Sequence, residues 1–226
     1  MARDTILFDI NETVLDLASL RPLFAEAFGE ANVAATWFAT LLQSSTVCAI
    51  TGVRTTFAEL AGHALDRLAA VRGVNLTDDR RGAILGAFAS LPPHDDVAPA
   101  LDALRSAGYR TVAFTNSSRD LVTTQMTNSG LMEKFDSLVS VEDTGSFKPD
   151  GRVYAFVAER LERAPDDLRL VAAHDWDTHG ALTAGLRAAY VDRSGAPYHP
   201  LYKRPDVFGR SMAEVARHIV AVDRAG

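Results

Sequence analysis

Short apolar segments alternate with helical patterns through most of this 226-residue chain, and this alternation limits its fold more than any other feature. The helical patterns end at glycine or follow proline, as helix boundaries commonly do. A strand–helix alternation at this spacing predicts an α/β fold with a parallel sheet covered on both faces. The predicted strands are Thr5–Asp9, Arg110–Thr115, Ser137–Ser140, Arg169–Ala173 and Ala188–Val191. The predicted helices among and after them are Val97–Ala107, Arg119–Asn128, Gly151–Leu161, Thr178–Ala184 and Ser211–Arg224.

The interval from residue 16 to residue 92 interrupts this alternation, because its apolar residues recur at helical spacing throughout. It closes at Leu91-Pro92-Pro93, a combination that stops helices. We therefore expect a helical module of residues 16–92 inserted into an α/β domain of residues 1–15 and 93–226. The predicted helices of the insertion are Arg21–Gly29, Ala34–Ala49, Thr55–Val71 and Thr77–Leu91.

Charge and cysteine content restrict the kinds of partner and the compartment, and do not exclude a small anionic substrate. The chain has 23 lysines and arginines against 29 aspartates and glutamates, a net charge of −6, which disfavours nucleic acid or an anionic membrane as the main partner. Its single cysteine, Cys48, allows no intramolecular disulfide, as in proteins of reducing compartments. We expect no signal peptide and no apolar run that approaches membrane-span length, and hence a cytoplasmic protein.

Polar residues follow four of the predicted strands at the points where those strands end. Ligands of open parallel sheets bind at the carboxyl ends of the strands, so these side chains should meet. Singly, each has a plainer interpretation as a helix cap, a turn or a salt-bridge partner. Their occurrence at four matching strand ends favours a functional site, made of Asp9, then Thr115-Asn116-Ser117, then Lys148, then His174, Asp175 and Asp177.

These residue types suggest particular chemistry. A carboxylate at the position of Asp9 can serve as a nucleophile, a general base or a metal ligand. Lys148 is its natural counterion, and an opposite charge within about 4–6 Å keeps a carboxyl group ionised. Asp177 can hold Lys148 or orient a water molecule. Thr115 and Asn116 can donate hydrogen bonds to a substrate carboxylate or phosphate.

The motifs resemble those of the haloacid dehalogenase (HAD) superfamily, and the helical insertion resembles its cap domain. The matching order is Asp9–Thr13, Thr115–Asn116, Lys148–Pro149 and Asp177. Tyr154, Trp176 and the following Gly180-Ala181 resemble the type II branch, the L-2-haloacid dehalogenases. The resemblance implies a Rossmann-like parallel sheet with an inserted helical cap, often in a homodimer.

The resemblance also implies a hydrolytic dehalogenation through two displacements. Asp9 attacks the halogen-bearing carbon of a short 2-haloalkanoic acid and forms an aspartyl ester. Water near Asp177 and Lys148 then hydrolyses the ester, so these three residues are the expected catalytic set. The partners implied are a small anionic substrate and water, with no cofactor. Lys148, Thr115 and Asn116 would hold the substrate carboxylate, and the full set of expected substrate-binding residues is Asn11, Thr13, Phe38, Thr115, Asn116, Tyr154, His174 and Trp176.

Two positions disfavour a metal-dependent phosphatase. The phosphatases of the superfamily carry a second aspartate two residues after the nucleophile, where this chain has Asn11. Their Mg²⁺ ligand lies four residues before the last acid, where this chain has Ala173. Asp9 and one carbonyl make a poor Mg²⁺ site, although Asp175 is a conceivable additional ligand. A Mg²⁺-dependent phosphatase and a HAD-like binding protein that has lost catalysis stay open as alternatives.

Three positions depart from the dehalogenase pattern. Asn11 stands where the dehalogenases carry an aromatic residue. Trp37 is followed by Phe38 rather than by the arginine thought to receive the halide, and Arg54 or His174 are the candidates to replace it. The last motif has Ala172 and His174 where serine and asparagine are usual. His174 therefore either donates a hydrogen bond to halide or water or is structural.

Two further site types are disfavoured. No Gly-x-Ser-x-Gly elbow surrounds Ser117 or Ser118, as a serine hydrolase of the α/β class would require. A transition-metal site would have to gather ligands from one strand–helix turn, where side chains mostly diverge. The residues concerned are His174, Asp175, Asp177 and His179.

Overall fold

A computed structural model describes residues 4–225 and shows a six-stranded, all-parallel sheet with the strand order β3-β2-β1-β4-β5-β6. Helices connect the strands, which confirms the predicted α/β class. The strands are β1 (Thr5–Phe8), β2 (Arg110–Thr115), β3 (Ser137–Ser140), β4 (Leu168–Ala172), β5 (Arg187–Val191) and β6 (Val207–Gly209).

The helices follow the predicted order, with ends that differ by a few residues at most. Four lie between β1 and β2: α1 (Arg21–Phe28), α2 (Val33–Thr51), α3 (Phe57–Arg72) and α4 (Asp78–Ala87). The others are α5 (Val97–Ser106), α6 (Arg119–Asn128), α7 (Gly151–Arg160), α8 (Asp175–Thr183) and α9 (Met212–Ala225). Short 3-10 turns lie at Leu17–Leu20, Phe88–Ser90, Met132–Lys134, Glu142–Thr144 and Pro165–Asp167.

The sequence prediction missed β6. This three-residue strand pairs with β5 in parallel, Ala189 opposite Val207 and Val191 opposite Gly209. A segment that short has no usable hydrophobic periodicity, so its strand conformation comes from the neighbouring strand. The fold therefore has one more strand than predicted, at the edge of the sheet farthest along the chain.

The first strand lies in the middle of the sheet, and this position explains its composition. β1 pairs with β2 on one side and with β4 on the other. Its Ile6, Leu7 and Phe8 are at most 1% exposed, as expected for a strand buried on both faces. The Asp9 backbone N–H donates to the Val171 carbonyl at 3.0 Å, which extends the pairing by one residue. Asp9 is thereby fixed at the carboxyl end of the central strand.

The helical insertion has its own aromatic core. Trp37 on α2 is fully buried, and its ring lies against Phe24, Phe38 and Phe88. Its Nε1–H donates to the Ala61 carbonyl at 2.9 Å and so joins α2 to α3. A buried tryptophan with its N–H satisfied stabilises the packing of both helices.

Two neighbouring chain segments connect the insertion to the sheet domain. Leu15 forms an antiparallel bridge with Pro93. The Asp16 N–H donates to the Pro92 carbonyl at 2.8 Å, and the His94 N–H donates to the Val14 carbonyl at 3.0 Å. The chain thus leaves and re-enters the α/β domain at one place, beside the end of β1.

Helix α2 corrects one expectation from the sequence. This 19-residue helix is long and apolar enough, by length and composition, to cross a membrane, whereas no such run was expected. Core helices of soluble proteins share these properties, and α2 buries Trp37, Phe38 and Leu41. Val47 and Ile50, farther along the helix, are exposed.

Candidate active site

Three charged side chains meet at the carboxyl ends of β1, β2 and β4. The Lys148 ammonium donates to Asp9 Oδ1 at 3.2 Å, to Asp177 Oδ2 at 3.0 Å and to the Phe114 carbonyl at 2.8 Å. Lys148 is only 1% exposed, and these three acceptors use all three of its N–H groups. The structure therefore brings Asp9, Lys148 and Asp177 together as predicted. Lys148 binds two carboxylates here, and its contact with a substrate carboxylate stays a prediction.

Opposing electrostatic effects set the protonation of this cluster. Burial by itself would raise the pKa of Asp9, but the Lys148 charge and the His174 hydrogen bond lower it well below the ordinary value. Burial would lower the pKa of Lys148, yet the charges of Asp177 and Asp9 raise it. The pKa of Asp177 is raised by burial and by the Asp9 charge, against the lowering effect of Lys148. Asp9 is thus an ionised carboxylate beside a charged lysine.

Two hydroxyl groups fix the orientation of these carboxylates. Thr13 Oγ1 donates to Asp9 Oδ2 at 2.7 Å and accepts the Ala173 N–H at 2.9 Å. The Tyr154 hydroxyl donates to Asp177 Oδ1 at 2.5 Å. Both side chains are fully buried. Each of these residues thus contacts an acidic residue of the site, and the substrate contacts predicted for Thr13 and Tyr154 stay predictions.

Asn11 and Thr115 also lie beneath the site and take part in hydrogen bonds within the protein. Asn11 Nδ2 donates to Ser117 Oγ at 3.2 Å, and its Oδ1 accepts from Gln125 Nε2 at 3.2 Å. Thr115 Oγ1 accepts the Ser117 N–H at 3.1 Å and is fully buried. Gln125 also donates to the Phe88 carbonyl, so Asn11 helps to join the site to the helical insertion. The substrate contacts predicted for both residues stay predictions.

His174 lies directly beside Asp9. Its Nδ1 is 3.3 Å from Asp9 Oδ2, and its Nε2 is 2.8 Å from Glu12 Oε2. Burial would lower the pKa of His174, but the hydrogen bonds with Asp9 and Glu12 raise it to about 10. The imidazole is therefore a cation at neutral pH, with both N–H groups donating.

Sequence reasoning missed Glu12. Its backbone has φ +64°, in the left-handed region that glycine adopts most easily. No periodicity or spacing marks such a residue, because its conformation depends on the turn that follows β1. The signal available in the sequence was its position between Asn11 and Thr13, inside the first motif.

Aromatic rings and one amide complete the surroundings of His174 and Asp9. The Trp176 ring stacks on the His174 ring at 5.2 Å, and the Phe38 ring of the insertion lies 6.3 Å from it. Asn116 Oδ1 accepts the Lys148 backbone N–H at 2.9 Å. Within residues 4–225 its Nδ2 has no hydrogen-bond partner, so this group is available to a ligand.

Other candidates from the sequence lie in different surroundings. The Arg54 guanidinium lies against Gly145, and no ion pair joins it to the Asp9 cluster in the described part of the chain. The four residues weighed as a transition-metal site have separate partners: His174 contacts Asp9 and Glu12, Asp177 faces Lys148, Asp175 accepts the His199 N–H, and His179 stacks on Tyr202.

The donor set around Asp9 does not suit the Mg²⁺ that the wider superfamily implies. Position 11 is an amide already bonded within the protein, and Ala173 has no side-chain ligand. Two cationic groups, Lys148 and His174, occupy both oxygens of Asp9. Mg²⁺ needs several oxygen ligands in an octahedral arrangement, which these residues do not provide.

Comparison with known proteins agrees with the motifs. A family model described as haloacid dehalogenase-like hydrolase matches residues 3–171. The chain is 27% identical to the (S)-2-haloacid dehalogenase of Pseudomonas fluorescens, with 95% of each chain covered. It is 29% identical to (S)-2-haloacid dehalogenase H-109 of Pseudomonas putida, with 93% of this chain and 95% of that one covered.

A solved structure shows the same fold. The L-2-haloacid dehalogenase of Xanthobacter autotrophicus with covalently bound chloropropionic acid superposes with a TM-score of 0.89 at 22% identity. The alignment covers 97% of this chain and 98% of that one. The chain therefore belongs to the haloacid dehalogenase-like hydrolases and, as its motifs predicted, is similar to their L-2-haloacid dehalogenase branch.

Proposed function

We propose that this protein is a metal-independent hydrolytic dehalogenase of short 2-haloalkanoic acids, of the haloacetate or 2-halopropionate type. It converts them to 2-hydroxy acids through an ester on Asp9. The observation that carries this proposal is the state of Asp9, an ionised carboxylate at the end of the central strand with a lowered pKa. The names of the curated relatives point to the same substrate class.

The hydrogen bonds of Asp9 suggest which oxygen attacks. Oδ2 accepts from Thr13 at 2.7 Å and lies 3.3 Å from His174 Nδ1, whereas Oδ1 accepts one longer bond, from Lys148 at 3.2 Å. Oδ1 therefore keeps more of its lone-pair density for the substrate carbon. In the first displacement Oδ1 bonds to that carbon, and the halogen leaves with the electron pair of the broken bond.

Lys148 and Asp177 serve the second displacement. Ester formation removes the charge of Asp9, and Lys148 then has Asp177 as its only anionic partner in the cluster. Asp177, held by the Tyr154 hydroxyl, is the carboxylate available to orient water and take its proton as the ester carbonyl is attacked. Cleavage returns Asp9 as a carboxylate and releases the hydroxy acid.

The substrate carboxylate needs donors that the protein has not already used. Asn116 Nδ2 is such a donor and lies next to Lys148, to which the same side chain is bonded. Phe38 and Trp176 supply apolar walls beside His174. Apolar walls limit hydration of the attacking carboxylate, which makes it a better nucleophile.

A substrate panel tests the proposal against its alternatives. Chloroacetate, fluoroacetate, L-2-chloropropionate and p-nitrophenyl phosphate are incubated with the protein, in EDTA and in Mg²⁺. We expect halide release at equal rates in both conditions. Phosphate release that requires Mg²⁺ would instead identify a phosphatase, and no turnover on a broad panel would identify a binding protein.

Single-turnover hydrolysis in H₂¹⁸O tests the covalent step. With protein in excess over substrate, we expect the label to enter Asp9 and the product to carry unlabelled oxygen from the carboxylate. Mass spectrometry of the peptide that contains residues 4–21 measures the label, and Asp9→Asn protein serves as the control. Label found in the first product and absent from the protein would contradict the ester mechanism.

Two further proposals concern the state of the protein. We propose a homodimer and a cytoplasmic location, as the resemblance and the single cysteine suggest. Light scattering of the purified chain measures the first, and cell fractionation measures the second. A monomeric mass would contradict the dimer without affecting the proposed reaction.

A further inference from the structure

We propose that Glu12 is a positioning residue that holds the His174 imidazolium beside Asp9, and that the Nδ1–H of His174 passes from Asp9 to the departing halide as the ester forms. This inference rests on the proposed dehalogenation. In the resembling dehalogenases an arginine after the cap tryptophan is thought to receive the halide, but here Phe38 follows Trp37. We assign halide binding to Glu12 and His174 instead, a pair that the motifs alone did not connect.

The geometry of the pair is the first support. His174 lies between two carboxylates, with Nε2 2.8 Å from Glu12 and Nδ1 3.3 Å from Asp9. Its ring is stacked on Trp176 and its side chain is 13% exposed. The shorter contact is the one to Glu12, so Glu12 sets the direction in which Nδ1–H points.

The backbone of Glu12 is the second support. A non-glycine residue at φ +64° is strained, and such residues persist where the surroundings hold them. The Glu12 N–H donates to the Leu15 carbonyl at 2.9 Å, and its carbonyl contacts His94 Nε2 at 3.1 Å. Glycine would relieve the strain but would remove the carboxylate from His174. The presence of a glutamate at this position is explained by its contact with the imidazole.

The change of charge during the first displacement is the third support. As Asp9 Oδ1 bonds to carbon, the carboxylate becomes a neutral ester and ceases to be a strong acceptor for His174. At the same moment the halide gains the electron pair of the broken bond and a full negative charge. The imidazolium N–H can therefore exchange one anionic acceptor for another within the site, and no proton is transferred. Glu12 keeps the other N–H bonded throughout.

Other charged groups near His174 define what else influences its titration. Asp177 and Lys148 lie beyond Asp9 in the buried cluster. Glu12 and His174 also line a cavity of about 580 Å³, which opens a route for water and ions to this side of the site. The other titratable residues that line this cavity are Asp16, Arg21, His94, Asp175, Tyr190 and Arg193.

NMR titration of histidine-labelled protein tests the positioning role independently of activity. The His174→Asn variant assigns the resonance. We expect Glu12→Gln and Glu12→Gly to lower the midpoint of His174 titration by at least one pH unit, because each removes an anionic acceptor. Glu162→Gly is the control for the backbone change, since Glu162 is the other described glutamate with positive φ and lies exposed just after α7, away from His174. An unchanged midpoint in both Glu12 variants would overturn the positioning role.

Leaving-group dependence tests the exchange of acceptors. We expect Glu12→Gly and His174→Asn to lower kcat about tenfold for fluoroacetate and less for bromoacetate, with KM changed less than twofold. Fluoride has the most concentrated charge of the halides, so its departure depends most on the hydrogen bond from His174. The alkaline limb of kcat/KM, which reports the free protein as the NMR titration does, should move to lower pH in the Glu12 variants by the same amount as the NMR midpoint. Equal losses for all halides would overturn the exchange, whereas absence of wild-type turnover would overturn the proposed function and leave the NMR result standing.

Discussion

The two ends of the sheet each carry a cluster of charged side chains, and the clusters differ in the cations that bind their carboxylates. At the amino end, Arg169 is 2% exposed and contacts Asp206 and Asp223. Arg187 contacts the same two aspartates, and the Tyr109 hydroxyl donates to Asp223. At the carboxyl end, one lysine serves two aspartates, and a histidine serves Asp9 and Glu12.

The cations of the two clusters differ in geometry. At the amino end the Arg169 guanidinium binds both oxygens of Asp206 as a fork, which fixes their relative geometry, as suits a purely structural ion pair. At the carboxyl end the Lys148 ammonium is a point charge that donates one bond to each of two carboxylates, and one of these is the proposed nucleophile Asp9. The Arg169 and Asp223 side chains at one end are buried like those of Lys148 and Asp177 at the other, so burial of charge by itself does not identify a functional site.

The largest effect is expected for Asp9→Asn. An amide cannot form the ester, so kcat should fall by roughly 10⁴-fold or more, in line with removal of other enzymatic nucleophiles. The amide oxygen can still accept from Lys148, so the fold should persist. Halide release and circular dichroism measure the two quantities. Wild-type activity in a variant whose sequence has been verified would contradict the assignment of Asp9 as the nucleophile.

Lys148→Met comes next and affects both activity and stability. Removal of one partner from a buried ionic cluster costs about 3–5 kcal/mol of unfolding free energy. In the wild type the charge of Lys148 outweighs the effect of burial on the pKa of Asp9. Without Lys148 the effect of burial prevails, and the pKa of Asp9 rises. The destabilisation should therefore shrink as the pH falls from neutral to the ordinary value of 3.8, because Asp9 becomes protonated in the folded variant at a raised pKa. Below 3.8 it should shrink further, because the wild type loses the stability that its low-pKa Asp9 carboxylate supplies.

Urea denaturation at several pH values measures this effect. Lys148→Arg is the control, because it keeps the charge while changing its geometry. A destabilisation that is the same at pH 3 and pH 7 would contradict the assigned charge of Asp9.

Arg169→Met tests the amino-end cluster. We expect a loss of about 3 kcal/mol in unfolding free energy, because the buried Asp223 carboxylate loses one of its arginine partners and Arg187 is left to bind it and Asp206. The kcat of the folded protein should not change, since the residue lies at the opposite end of the sheet. Denaturation and turnover measured on the same sample give both values. A change in kcat comparable to that of Lys148→Met would erase the distinction between the clusters.

Tyr154→Phe should give the smallest effect. It removes the hydroxyl that donates to Asp177 Oδ1 and leaves the ring in place. Loss of one hydrogen bond to a charged group corresponds to about 1.5 kcal/mol, or roughly tenfold in kcat. That bond lowers the pKa of Asp177, so its removal raises the pKa further and moves the acidic limb of kcat to higher pH. A pH profile identical to that of the wild type would leave Tyr154 with a packing role only.

The local pattern of the chain predicted most of the fold. β2, β3 and α6 have the bounds expected from their apolar periodicity and flanking turns, because each is specified by its own segment. β6 was missed because three residues carry no periodic signal and pair only when β5 is present. The length and apolar composition of α2 were also underestimated.

The sequence by itself determined that Asp9, Lys148 and Asp177 would meet, because parallel strands bring their carboxyl ends to one edge. Only the tertiary structure decided which partners the polar side chains around this cluster take. Thr13, Asn11 and Tyr154 carry groups suited to binding, and in the structure these groups bond to residues from distant segments. The contact between Glu12 and His174 likewise joins residues far apart in the chain, and local sequence patterns cannot predict a hydrogen bond of that kind.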